Sequence, residues 1–420
     1  MSHSGWSGRR DTRTPGLSEK GVTSIISQWN DASCQQFGML QHRRYCGARL
    51  LPSEPRHGSG QLPVNGRPYE VALVLGGGNA LGAYQAGAYE ALHDQGLEPS
   101  WIAGASAGAV NGAVICGNKD SDRVSRLREL WKCSGNAEPI DLPAVVETVR
   151  RSWATALTLA SGHPGLFVPR NIYGPWWNPL GNDEPASLYD LRPLADTLQR
   201  LVDFDRLNRG SPRLSVTAVD IQSGEDIAFD TGSHWIGCDE IRASAALIPL
   251  FPPVAIGERL LGDAGISVNL PLDIILSEKR TRPLLCIAVD LLPLSGSRPR
   301  TLRESAKRSQ DLMFATQSRR ALAAWQALFD VRGDRAATVT VLRLAYADQA
   351  KEVAGKAFDF SSQSAEARWR AGHEAMTSML GALGRGEIAI GGRGLSVYQP
   401  DPRTRKGFDR VRFSMQPIQG

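Results

Sequence analysis

No stretch of the 420 residues approaches the ~18 consecutive apolar positions that a membrane-crossing helix requires. "VTSII" near the N-terminus is too short for the core of a secretory signal, although Arg9, Arg10 and Arg13 precede it. The chain also lacks a large charge of either sign: 48 Lys and Arg stand against 43 Asp and Glu, a net +5. Residues 1–70 hold nine basic against five acidic residues, so +4 of that excess sits there. The nearly neutral remainder argues against a nucleic-acid-binding body, which needs a basic face. Cysteine is scarce and scattered: Cys34, Cys46, Cys116, Cys133, Cys238 and Cys286 form no CxxC pair and no cluster with zinc-ligand spacing. Buried reduced thiols in a reducing compartment are the expectation. The chain therefore reads as cytoplasmic, with at most a peripheral contact to membranes.

Residues 1 to 67 also lack periodic apolar positions. They are rich in Ser, Gly, Arg and Gln and end in "LPSEPRHGSGQLPVNGRPYE", which predicts disorder followed by a linker. From Val71 the pattern changes. "VALVLG" is expected as a buried strand, and Leu81, Tyr84, Ala88 and Leu92 then recur at helical spacing. "SWIAG" predicts a second strand and "SAGAVNGAVICGN" a helix of small residues. Further strands are expected at 214–220, in "EDIAFDTG", and at 259–265 before a helix near 269–279. "RPLLCIAVDLLP" (282–293) is a continuous apolar strand of the kind buried in parallel sheets. A helix over 302–330, a strand in "ATVTVLRLAY" and a helix over 361–382 complete the expectation. There are no internal repeats. Strands alternating with helices predict a layered α/β fold with a mostly parallel sheet.

Three consecutive glycines, Gly76, Gly77 and Gly78, interrupt "LVLGGGNALGAYQAG" at a strand-to-helix junction. A phosphate-binding P-loop needs Lys and Ser or Thr after its last glycine, and here Gly82 is followed by Ala83 and Tyr84. A dinucleotide fingerprint starting at Gly76 would need glycine where Leu81 stands. The P-loop reading fails on these residues, while a nucleotide-binding oxidoreductase stays open as a third reading without that glycine. About 30 residues on, "GASAG" places Ser106 between Gly104 and Gly108, after a strand and before a helix. That is the context of a nucleophile elbow, in which the glycines clear room for a strained turn. The glycine run then has two readings: a plain tight turn, or a row of backbone N–H groups for an oxyanion.

A serine nucleophile needs a base. His163, His234 and His373 have no distinctive setting and read as surface histidines. Asp263 ends the strand "RLLG" and opens a turn, "DAG", ahead of a helix. Locally it fits two roles, a helix N-cap or a direct acceptor for the serine proton.

"GGGNALG", "GASAG" and "DAGISVNLPL", together with "IRASAALIPLFPPV" (241–254), resemble the patatin-like phospholipases in order and spacing over residues 71–280. The resemblance implies a three-layer α/β/α fold with a mostly parallel central sheet, a Ser–Asp dyad, no metal or organic cofactor, and hydrolysis of acyl esters in phospholipids or other lipids. Carried over, Ser106 is the nucleophile, Asp263 the proton acceptor, Gly77 and Gly78 the oxyanion donors, and Gly104 and Gly108 the elbow glycines. Residues 281–420 are then an α/β extension completing or flanking the core. Two positions depart from the family pattern: Asn79 stands for a fourth glycine and Leu81 for a basic residue. Ala264 also replaces the middle glycine of the aspartate turn. Asn79 and Leu81 motivate an alternative, a non-catalytic lipid-binding or regulatory protein keeping the fold.

Two features bear on lipid contact. Trp176 and Trp177 lie in a Pro- and Gly-rich stretch that reads either as a packed loop or as a membrane-boundary element. In the helix after 302, Leu312, Ala315, Leu322, Trp325 and Phe329 share one face, and Lys307, Arg308, Arg319 and Arg320 supply a basic face for solvent or a membrane surface.

Overall fold

Five buried residues in a row, Val71 to Leu75, make the first strand of the computed structural model, β1 (Glu70–Leu75). The structure describes residues 67–133, 142–170, 187–333, 337–347, 349–401 and 407–413. The N-terminal segment through residue 66, Cys34, Cys46, Trp176 and Trp177 lie outside these described residues. Side chains along β1 alternate between two apolar cores. Val71, Leu73 and Leu75 enter one, Ala72 and Val74 the other. A strand buried on both faces needs no polar alternation, which is why β1 reads as a continuous apolar run.

The chain continues through α1 (Gly82–Asp94), β2 (Trp101–Ala105), α2 (Ala107–Cys116), α3 (Arg123–Trp131) and α4 (Ala144–Ser161). The short antiparallel pair β3 (Val168–Pro169) and β4 (Tyr189–Asp190) follows, then α5 (Arg192–Leu201) and α6 (Phe204–Arg209). Next come β5 (Arg213–Asp220), β6 (Asp226–Asp230), α7 (Cys238–Ser244), β7 (Val254–Ile256), β8 (Arg259–Asp263) and α8 (Leu272–Ser277). The remainder is β9 (Leu284–Asp290), α9 (Leu302–Arg332), β10 (Val339–Ala345), α10 (Ser362–Gly384), β11 (Leu395–Pro400) and β12 (Phe408–Val411).

Among the described residues ten strands form one sheet in the order β12-β11-β10-β9-β1-β2-β5-β8-β7, with β6 also paired to β5. Six neighbours, β11 through β5, run parallel, and the antiparallel pairings are confined to the two margins. Leu81, Tyr84, Ala109, Ala113 and Trp369 fill the core on one face, with α1, α2 and α10. Leu272, Ile275, Leu322 and Phe329 fill the other from α8 and α9. The result is a three-layer α/β/α arrangement with a mostly parallel central sheet. Strands β9 to β12, all after residue 281, belong to the same sheet as β1.

The four described cysteines, Cys116, Cys133, Cys238 and Cys286, are free. Among the described residues no helix is long and apolar enough to cross a membrane. In α9, Ala315, Leu322 and Phe329 are buried as expected, whereas Leu312 is exposed. The expected basic face is partly consumed inside the molecule. Lys307 donates to the carbonyls of Gln349 and Glu352, and Arg308 to those of Pro293 and Leu294. Helix α4 inverts the usual pattern: Arg151 and Thr155 are buried while Val145, Val149, Trp153 and Leu157 are exposed at four-residue spacing.

Candidate active site

β2 and α2 meet at Ser106 with no intervening loop. Ser106 has φ 52° and ψ −121°, a left-handed conformation that costs a non-glycine residue on the order of 1–3 kcal/mol. The flanking glycines let the strand and helix close around it. A Cβ on Gly104 would lie 2.5 Å from the Gly108 carbonyl carbon, and one on Gly108 would lie 2.1 Å from the Leu75 carbonyl oxygen. Ser106 N–H donates to the buried Ser244 Oγ at 2.9 Å, so the end of α7 fixes the turn from the side.

Asp263 arrives from the opposite direction. β8 runs antiparallel to β5 and pairs Asp263 with Ala218, while β2 pairs Ala105 with Thr217. Ser106 and Asp263 therefore flank the carboxyl end of β5, 157 residues apart in sequence. Asp263 is 4% exposed. Its Oδ1 accepts the Gly265 N–H at 2.7 Å, and Asp263 and Ser106 line the same cavity. Burial pushes the Asp263 carboxyl up to about 6, with the hydrogen bonds from Ser106 and Gly265 pulling the other way. The acid is thus poised to hold or release a proton near neutral pH.

The described histidines are engaged elsewhere. His234 pairs with Glu240 at 3.2 Å, His373 with Asp94 at 3.2 Å and His93 with Glu98 at 2.8 Å. His163 packs on Phe360, and burial pushes its imidazole down to about 4. His163 is therefore not the surface residue its sequence context implied. Ligand atoms of His93, Glu98 and Asp120 lie within 4.8 Å of one another, but Arg123 already bridges the two carboxylates at 2.8 Å each.

The glycine loop lies against the serine. A Cβ on Gly77 would be 3.0 Å from the Ser106 Cβ and 2.6 Å from Asn269 Oδ1, so the close approach requires glycine. Gly77 N–H is already given to the Asn269 carbonyl at 2.9 Å. Gly78 N–H and Asn79 N–H have no acceptor among the described residues. Asn79 has φ 52°, a region in which Asn is the best-tolerated residue after glycine. This accounts physically for Asn79 where the resembled family carries glycine. Leu81 is fully buried and lines the cavity.

Residues that sequence reasoning missed hold these parts together. Gln85 donates to the Gly76 carbonyl at 2.7 Å, Asn111 to Gln85 at 3.0 Å, and Trp131 to Asn111 at 2.8 Å. Asn269 N–H donates to Gln317 Oε1 at 2.8 Å, and Gln317 Nε2 to the Gly265 carbonyl at 3.1 Å. The available signal was a lone polar residue inside an apolar helix, in "AYQAG" and "AVNGAV". Ala107 N–H, at the first position of α2, was missed too; helix geometry leaves such a group without an intrahelical partner.

Ser106, Asp263, Gly77, Gly78 and Asn79 open into a cavity of about 980 Å³, including its solvent-open part. Its walls are apolar, with Trp131, Phe167, Phe251, Phe314 and Phe358 contributing rings, and among the described residues lining it Asp263 is the only charged one.

Comparison with known proteins identifies the family of the chain. Residues 73–276 match the family model described as patatin-like phospholipase, and residues 298–384 a second one described as patatin phospholipase. An uncharacterised NTE family protein of Mycobacterium tuberculosis is 27% identical over 209 residues, which are 50% of this chain and 28% of that protein. A triacylglycerol lipase of Schizosaccharomyces pombe is 30% identical over 99 residues, 22% of this chain and 20% of the lipase. The chain thus spans less than a third of the length of these curated relatives. Among solved structures, VipD from Legionella pneumophila superposes with a TM-score of 0.33 at 13% identity, covering 74% of this chain and 67% of that one. ExoU of Pseudomonas aeruginosa, in its complex with SpcU, gives 0.31 at 13% identity over 74% and 52%. With its glycine loop, serine elbow and aspartate turn lying within the matched segment, the chain belongs to the patatin-like phospholipase family.

Proposed function

We propose that this protein hydrolyses acyl esters of lipids, with Ser106 as nucleophile and Asp263 as the group that moves the proton. The observation carrying this reading is the strained strand-to-helix serine, Ser106, and a buried carboxylate, Asp263, lining one apolar cavity. An acyl chain occupies the cavity and sets the ester carbonyl beside Ser106. Ser106 Oγ attacks the carbonyl carbon as Asp263 accepts the hydroxyl proton. The oxyanion is held by Gly78 N–H, Asn79 N–H and Ala107 N–H; Gly77 acts by having no side chain rather than by donating. Collapse breaks the C–O bond to the alcohol, which leaves with the proton from Asp263. Water then attacks the acyl-serine, giving its proton to Asp263, and a second collapse releases the fatty acid as Ser106 is reprotonated.

On this reading residues 71–280 carry the reacting groups and residues 281–420 extend the sheet and back the loop. The substrate comes from a lipid surface, for which Val145, Val149, Trp153 and Leu157 of α4 offer an exposed apolar face. Leu166 and Phe167, shortly after α4, line the cavity. The test is fluorophosphonate labelling of the purified protein with mapping of the modified residue, beside hydrolysis of a p-nitrophenyl acyl ester. Labelling at Ser106 with turnover is expected. A folded protein that binds lipid yet neither labels nor turns over would establish the non-catalytic alternative.

A further inference from the structure

Arg368, in α10, is fully buried and lies 262 residues from the serine in sequence. All five of its N–H donors are used. Nε and Nη2 bind the two Glu352 oxygens at 2.8 Å each, Nη2 also reaches the Lys356 carbonyl at 3.1 Å, and Nη1 reaches the Asp359 carbonyl at 2.7 Å. The remaining Nη1 donor goes to the Ala80 carbonyl at 3.1 Å, inside the glycine loop. Helix α10 is held against α1 backbone to backbone: a Cβ on Gly87 would lie 1.9 Å from the Trp369 carbonyl oxygen, and one on Gly372 would lie 1.9 Å from that of Tyr84. The guanidinium therefore has a fixed position relative to the loop.

The peptide that accepts from Arg368 has its own N–H on Leu81, and Leu81 N–H donates to the Gly78 carbonyl at 3.1 Å. The Gly78 peptide in turn carries the Asn79 N–H, which faces no acceptor among the described residues. A buried cation thus begins a chain of hydrogen bonds through two peptide units that ends on an N–H of a cavity-lining residue. Each link polarises the next, so charge at one end strengthens the donor at the other. A buried ion pair is poor evidence of a stability role, because apolar replacements of such pairs are often neutral or stabilising.

Resting on the hydrolase reading above, we propose that Arg368 is a positioning residue for the oxyanion site, aligning and polarising Asn79 N–H from behind through Ala80, Leu81 and Gly78. It supplies from the C-terminal region a cation that position 81, occupied by Leu, does not provide. The cation sits outside the cavity, so it acts on the loop and not on substrate.

The experiment compares Arg368→Met, Arg368→Lys and Arg151→Met in the full chain. Arg151 also pairs with Glu352, at 2.9 Å, so it perturbs the same buried cluster without a bond to Ala80 and keeps Glu352 paired in the Arg368 variants. Rates on a p-nitrophenyl ester are expressed per serine titrated with fluorophosphonate, alongside affinity for an alkyl trifluoromethyl ketone, whose adduct carries an oxyanion. Arg368→Met is expected to lose roughly tenfold in kcat, less than the roughly hundredfold of deleting a whole donor. KM stays within about twofold, and ketone affinity falls in step with kcat. Arg151→Met keeps wild-type kcat and ketone affinity even where it melts earlier. Where Arg368→Met does not fold, Arg368→Lys, which loses the planar fork, carries the comparison. Wild-type kcat per titrated serine in the folded Arg368 variants overturns the proposal, as does an equal loss in Arg151→Met. An inactive, unlabelled wild type would instead overturn the hydrolase reading itself.

Discussion

The Asn269 carbonyl accepts the Gly77 N–H at 2.9 Å, and the Asn269 side-chain amide returns a hydrogen bond to the Gly77 carbonyl at 3.3 Å. This reciprocal pair ties the glycine loop to the segment following the aspartate turn. Gln317 of α9 braces the same segment from outside. The glycine loop and the aspartate turn are thereby held by bonds that run between motifs and to a helix outside them.

Asn269→Ala should lower kcat by about tenfold, because the loop keeps one of its two anchoring bonds and loses alignment of its free N–H groups. Gly77→Ala should be worse, since its methyl would sit 2.6 Å from Asn269 Oδ1 and 3.0 Å from the Ser106 Cβ. Combining the two removes one of those clashes, so the double variant should lose less than the sum of the singles. Steady-state kinetics on the four proteins of the cycle measure this; strict additivity would show that the two residues do not couple.

Ser106→Ala and Ser106→Gly should both abolish ester turnover while remaining folded. At φ 52° an alanine retains the strain of the elbow and a glycine does not. Ser106→Gly should therefore be more stable than Ser106→Ala by about 1 kcal/mol, offset in part by the freer unfolded chain. Thermal or urea melts of the two variants read the difference.

The acid limb of kcat/KM should have its midpoint near pH 6, where Asp263 gains its proton and stops accepting one. Stability should move the opposite way. With a folded value of about 6 against an ordinary 3.8, the native state binds the extra proton between these limits. The stability contributed by the protonated acid is thus lost as pH rises through that window and stays absent above it. Asp263→Asn, neutral throughout, should be inactive yet more stable than wild type at pH 8 by on the order of 1–3 kcal/mol, the gap closing toward pH 4. Replacing His163, His234 or His373 singly should leave the pH profile in place. A profile that follows one of the histidine variants would displace the dyad.

Neutral acyl esters should be better substrates than anionic ones. Among the described residues lining the cavity the sole charge is Asp263, which repels a second anion in a low-dielectric site. A diacylglycerol in mixed micelles should exceed the matched phosphatidic acid in kcat/KM by roughly tenfold, the equivalent of about 1.4 kcal/mol. Equal rates would point to a cation reaching the head group.

Placing a charge on the exposed stripe of α4 should separate surface binding from chemistry. Trp153→Asp combined with Leu157→Asp should reduce sedimentation with phosphatidylcholine vesicles and hydrolysis of vesicle-borne ester. Both side chains are exposed, at 71% and 66%, so a water-soluble p-nitrophenyl acetate should be cleaved at the wild-type rate. Loss on both substrates would mean that the helix supports the fold instead.

The layered α/β class was legible because β1, β2 and β9 are buried on both faces and need only apolar residues, a signal carried within a few neighbouring positions. Helices α3 and α4 were not legible. In α4 the apolar residues face outward and Arg151 and Thr155 face inward, so the periodic pattern points away from the core. At one margin of the sheet β11 ends on Pro400 and the edge strand β12 has four residues.

At the site the division follows the range of the interaction. Ser106 between its glycines and Asp263 at its turn are local statements, because a strained φ and a strand end depend on adjacent residues. Only the folded sheet could decide that β8 runs antiparallel to β5 and so sets Asp263 beside Ser106. Only it could decide that Gly77 N–H is occupied by Asn269, and that Arg368 lies behind Ala80. Each of these last two is a polar contact between segments 192 to 288 residues apart. A sequence specifies such a contact through the whole packing of the chain and leaves no periodic trace of it nearby.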